Sequence, residues 1–126
     1  MAQVTRSRLI RQSFDSPEEI RRFEDGTGQM ELVNLEYGAV GRATFEPGWK
    51  WSEHVKPIAG TDSCEASHMG YVISGRLRIV GNDGQQMDVG PGDFMECGPG
   101  HDAWVLGSEP CVMIDWQGST DYAKRH

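Results

Sequence analysis

Three of the four histidines stand where a short apolar run meets a glycine or proline turn. His54 lies in PGWKWSEHVKP, His68 opens HMGYVISGRLRIV, and His101 follows GDFMECGPG. Neutral imidazole offers a nitrogen lone pair near physiological pH, which makes it the commonest metal ligand. Three imidazoles brought together from separate turns would hold a divalent cation and leave coordination positions open. A small organic molecule could be bound or polarised there. A histidine among strands is also an ordinary hydrogen-bonding residue, so only convergence in space makes the three a site.

Other reactive side chains surround this set. Cys64, four residues before His68, is either a thiol folded over the cation or an inert small side chain of the loop IAGTDSCEAS. Glu53 and Asp102 each neighbour a histidine, as a carboxylate that orients an imidazole or as a solvated surface acid. Lys56 shares strand parity with His54 and reads equally as an anion-holding group or a surface lysine. Trp51 and Trp104 have the parity opposite His54 and His101. Core or interface packing accounts for both, with pocket lining the alternative. Cys97 and Cys111 lie within apolar runs and read as buried small side chains.

The elements that must position these residues are mostly strands. The chain has 126 residues, a length that suits one domain. Its 16 glycines exceed the average share of roughly 7%. From Met30 onward, MELVNLEYG, AVGRATFEP, HMGYVIS, RLRIV, QQMDV, DFMECG, AWVLG and CVMIDWQG are separated by glycine, proline, asparagine or aspartate. Leu77 and Ile79 alternate with Arg76 and Arg78, as in a half-buried strand. Gly81-Asn82-Asp83-Gly84 predicts a hairpin turn. Short strands at this spacing predict an all-β jelly roll or sandwich. Before them, Ser16-Pro17-Glu18-Glu19 predicts a capped helix start, with Ile20 and Phe23 as its apolar stripe. The organisation expected is an N-terminal arm with a short helix over 1–29, a barrel over 30–118 and a tail over 119–126.

Charge and cysteine usage exclude several function classes. The net charge of -7 would repel nucleic-acid phosphates. Three cysteines without a close pair argue against a disulfide scaffold and for a reducing compartment. MAQVTRSRLIRQSF carries no long apolar core, so neither a signal peptide nor a membrane span is expected. The expectation is a cytoplasmic protein without nucleic-acid or membrane partners.

The turns and histidines together resemble the cupin superfamily over about Met30 to Gly118. Pro47-Gly48 matches the turn of its first motif and His54 the first histidine position. Lys56 stands at the second histidine position. His68 stands at the glutamate position, six residues before Gly75. Gly92-Asp93 and Gly98-Pro99-Gly100 resemble the second motif. His101 comes directly after the turn, whereas the family's histidine comes two residues later, where Ala103 stands.

The resemblance implies a cupin-like jelly-roll β-barrel preceded by the short helix. It also implies a metal held by His54, His68 and His101. Loss of the glutamate makes the site neutral, which places iron or zinc ahead of nickel or manganese. The function implied is binding or transformation of a small organic molecule, with dioxygenase-, isomerase- or lyase-like chemistry open. The alternative is a binding or sensing protein whose pocket holds no metal. A homodimer is expected, with RSRLIRQSF adding a strand across the interface.

Overall fold

A computed structural model describes residues 9–36 and 38–117. Among the described residues nine strands form two sheets. They are β1 (Glu19–Arg22), β2 (Gly28–Leu35), β3 (Gly38–Phe45), β4 (His68–Ser74), β5 (Arg76–Gly81), β6 (Gln86–Val89), β7 (Phe94–Cys97), β8 (His101–Leu106) and β9 (Cys111–Gln117). The larger sheet runs β1-β2-β3-β9-β4-β7 and the smaller one β6-β5-β8. All pairings are antiparallel. The sheets face each other without closing into one continuous barrel. The all-β, cupin-like architecture expected from the sequence is present.

Each of the eight strand runs read from the sequence forms a strand, because alternation gives each run one apolar face. In β5, Leu77 and Ile79 are buried while Arg76 is exposed and Arg78 half-buried. Arg78 bonds to Asp88 across the hairpin, which turns at 81–84 as expected. The β4–β5 junction needs glycine at position 75. Gly75 has φ of 75°, and a β-carbon there would fall 2.1 Å from the Pro110 carbonyl oxygen. That bend carries the chain from the larger sheet to the smaller.

The helix expected near Pro17 is a strand instead. Glu19–Arg22 pairs with β2, and Phe23 turns inward against Phe45 and Trp49. Ile20, the other half of the supposed helical stripe, stays partly exposed. A helix would spend its backbone bonds internally, whereas this segment satisfies the edge of β2. Glu18 adds a side-chain bond to the Asn34 amide, a strand-edge role rather than a cap. A single 3-10 turn follows at Glu24–Gly26.

Two short helices interrupt the strands where none was expected, α1 (Trp51–His54) and α2 (Lys56–Ala59). The tail over 119–126 and residues 1–8, which include the first three residues of RSRLIRQSF, lie outside the described residues. No helix among the described residues is long and apolar enough to cross a membrane.

Candidate metal centre

Two of the three histidines meet between the sheets, and a cysteine joins them. One donor atom from each of Cys64, His68 and His101 lies within 4.8 Å of the other two. All three residues are buried. His68 opens β4 in the larger sheet and His101 opens β8 in the smaller, so facing sheets bring them together. Cys64 arrives from the loop after α2. Its amide donates to the His101 carbonyl at 2.8 Å, and the Gly100 amide donates to the Cys64 carbonyl at 2.7 Å. Gly100 has φ of 89°, which sharpens the turn before His101.

Each imidazole has its Nδ1 held by an oxygen. His68 Nδ1 lies 2.6 Å from the buried carboxylate of Asp115, leaving Nε2 facing Cys64 Sγ at 3.6 Å. His101 Nδ1 donates to the Gly98 carbonyl at 2.8 Å, again freeing Nε2. Fixing Nδ1–H by a carboxylate or carbonyl leaves the Nε2 lone pair available for a cation.

The site's electrostatics follow from burial and from these contacts. Burial alone would raise the Cys64 thiol, but hydrogen bonds from His101 and His68 and their charge bring it down to about 7. Burial would lower His68, yet Asp115 and Cys64 raise it to about 9. Burial would likewise lower His101, and its contacts with Cys64 and Cys97 raise it to about 10. Cys111 has no such partner among the described residues, and burial pushes its thiol up to about 12.

His54 is not brought to this cluster. It sits on α1 rather than on a strand. Its Nδ1 accepts the Lys50 amide at 3.0 Å, and its Nε2 lies 3.7 Å from Asp25. The helical turn rotates its side chain toward the 3-10 segment, so strand parity does not hold from Trp51 onward. Lys56 instead pairs loosely with Asp62 at 3.9 Å, in solvent. Glu53 is exposed. Asp102 Oδ1 accepts the Ser52 amide at 3.0 Å and so fastens α1 to β8. Trp51 is buried and lines the cavity beside the cluster. Trp104 lies under the Lys50 ammonium, 4.9 Å from its ring centroid.

Two residues of the site were missed. Asp115 is a carboxylate in an otherwise apolar strand, at the inward parity of Cys111 and Met113. That parity was the available signal. Cys97 is not a fully buried core residue. It is half-buried, and its Sγ lies 3.8 Å from His101 Nε2.

The cavity between the sheets has a volume of about 50 Å³. Met30, Trp49, Trp51, Met95 and Met113 give it apolar walls, and His68, His101 and Asp115 its polar end. A wider groove of about 740 Å³ runs along the β5–β6 turn and β7. His101, Cys97 and Ile79 are walls of both.

A family model described as cupin domain matches residues 41–117, more than half of the chain. The protein belongs to the cupin family. Solved cupin-like structures agree with the fold. A sugar phosphate isomerase of the cupin superfamily from Silicibacter pomeroyi is 19% identical, with a TM-score of 0.59 over 84% of this chain and 73% of that one. A polyketide cyclase from Streptomyces resistomycificus is 15% identical, with a TM-score of 0.58 over 86% and 78%. The oxalate decarboxylase of Lactobacillus farciminis is 16% identical, with a TM-score of 0.59. There the match covers 94% of this cupin and 35% of the longer chain. At such identities the likeness concerns the fold alone. No curated protein matches this cupin in sequence.

Proposed function

We propose that this cupin holds a divalent metal ion on Cys64, His68 and His101 and presents it to a small organic molecule in the cavity between the sheets. One observation carries the reading: two buried Nε2 atoms and one thiol sulfur converge, and both imidazoles have Nδ1 engaged elsewhere. The donor set fits a cation chemically, because one sulfur and two imidazole Nε2 atoms each offer a lone pair once a cation displaces their protons. A thiolate is a softer ligand than the expected third imidazole, which favours zinc or iron over manganese. When bound, such an ion supplies Lewis-acid polarisation of an oxygen- or nitrogen-bearing group. His68 and His101 line the cavity and would aim the ion at it. Asp115 would hold His68 in register.

Cys64 next to His68 and Asp115 also has the makings of a nucleophilic thiol. A nucleophile must face its substrate, and Cys64 does not line the cavity or the groove. Ligation is therefore the better role for it.

The walls restrict the ligand. No lysine or arginine among the described residues lines the cavity or the groove, whose charged walls are Asp83, Glu96 and Asp115 beside the histidines. Sugar phosphates and oxalate are anions, and apart from the ion itself no lysine or arginine of these walls would hold them. An uncharged, largely apolar molecule fits better. A second reading is a binding or sensing protein rather than an enzyme. It is favoured by the titratable walls, since ligation of both histidines and the tie to Asp115 leave no general base in the cavity. The protein is also proposed to pair as a homodimer. Phe94, 72% exposed, packs with Tyr71 and Trp116 into an aromatic patch on the larger sheet.

Elemental analysis of untagged protein after dialysis against zinc tests the metal. About one equivalent should remain bound, and Cys64→Ser, His68→Ala or His101→Ala should each lower it more than tenfold. Full occupancy in His68→Ala would overturn the reading.

A further inference from the structure

We propose that Cys97 is the fourth protein ligand of this centre, so that the site in its ligand-free form is closed by two thiolates and two imidazoles. The inference rests on the metal reading above and adds a residue to it. In a tetrahedral zinc site, metal–nitrogen bonds near 2.05 Å and metal–sulfur bonds near 2.3 Å set neighbouring nitrogen and sulfur roughly 3.6 Å apart. Cys64 Sγ and His68 Nε2 are 3.6 Å apart. Cys97 Sγ and His101 Nε2, the other sulfur–nitrogen pair, are 3.8 Å apart. Each distance matches a sulfur–nitrogen edge of a coordination tetrahedron.

Backbone pairing supports the set of four. Cys64 is bridged to His101, and His68 faces Cys97 in the β4–β7 register. Each cysteine thus lies across from one histidine and its sulfur contacts the other. Cys97 is not within 4.8 Å of all three remaining donors, so closing the tetrahedron takes a rotation of its side chain. Its side chain borders the outer groove as well as the inner cavity. Cys97 is half-buried at the end of β7, the edge strand of the larger sheet, whereas Cys64 is buried.

Position gives the fourth ligand a role. Cys97 forms part of the wall shared by the inner cavity and the outer groove. With its sulfur on the cation, no coordination position faces an incoming molecule. With its sulfur withdrawn, one position opens at the boundary of the two compartments. On ligation the two sulfurs and the two Nε2 atoms release the protons they carry to solvent and keep their electron pairs; no oxidant or reductant takes part.

Cobalt(II) titration of the metal-free protein tests this, because thiolate-to-cobalt absorption scales with the number of sulfurs bound. Wild type should show tetrahedral ligand-field bands and a two-thiolate charge-transfer intensity. Cys97→Ser should lose about half of that intensity and bind zinc at least tenfold more weakly in chelator competition. Cys97→His should regain tetrahedral bands with one thiolate only. An unchanged charge-transfer intensity in Cys97→Ser, with loss in Cys64→Ser, overturns the role of Cys97 and leaves the three-donor centre standing. Absence of cobalt bands in wild type overturns the centre itself. If Cys97→Ser fails to fold, the Cys97→His spectrum decides: an intensity equal to wild type overturns the proposal.

Discussion

His68 Nδ1 and Asp115 Oδ2 lie 2.6 Å apart, and both residues are buried. The carboxylate holds Nδ1 in place and so sets where Nε2 points. Asp115→Asn should therefore lower zinc affinity by about tenfold to a hundredfold while keeping the fold. Chelator competition together with circular dichroism measures both effects. Unchanged affinity would show that His68 needs no such partner.

His54 provides the contrasting case. Its ring accepts the Lys50 amide and faces Asp25, away from the cluster. His54→Ala should keep full metal content. It should also lower stability by about 1 kcal/mol, since a part-buried amide loses its acceptor. Metal loss in this variant would restore the three-histidine set.

The Cys64 thiol of the metal-free protein should ionise with a midpoint near 7, followed by ultraviolet thiolate absorbance. Of the contacts that lower it, the bond from His101 is the largest. His101→Ala should move the midpoint upward, toward the value that burial alone imposes. The sign is reversed at Cys111. Its folded thiol is raised to about 12, so its contribution to stability is complete below the unfolded value near 9 and is lost as pH climbs toward 12. Urea midpoints should fall across that window, and Cys111→Ala should flatten the fall.

Ligand charge is open to a direct test. Trp49 and Trp51 line the cavity, so their emission should respond to n-propanol at lower concentrations than to propionate. Tighter binding of propionate would refute the preference for an uncharged ligand.

For assembly, light scattering should give a dimer, and Phe94→Ser should shift it toward monomer. A monomer in wild type at micromolar concentration would exclude the aromatic patch as a self-association face.

Eight of the nine described strands, their turns and the family were legible along the chain. Alternation in RLRIV and the glycines at 75 and 84 act locally, through side-chain parity and backbone freedom, so they can be read along the chain. His68 and His101 were legible for the same reason, because each is anchored to a turn and a strand start. What only the tertiary structure decided was which side chains meet. His54 was misplaced because a four-residue helix replaced strand parity at Trp51–His54. The segment at Glu19–Arg22 became a strand because the edge of β2 offered it backbone partners that no local signal announces. Cys64, Cys97 and Asp115 joined the site through contacts between loop, edge strand and inner strand, up to 47 residues apart in sequence. Such contacts depend on how two sheets face each other, and their chemistry exists only once the packed core excludes water.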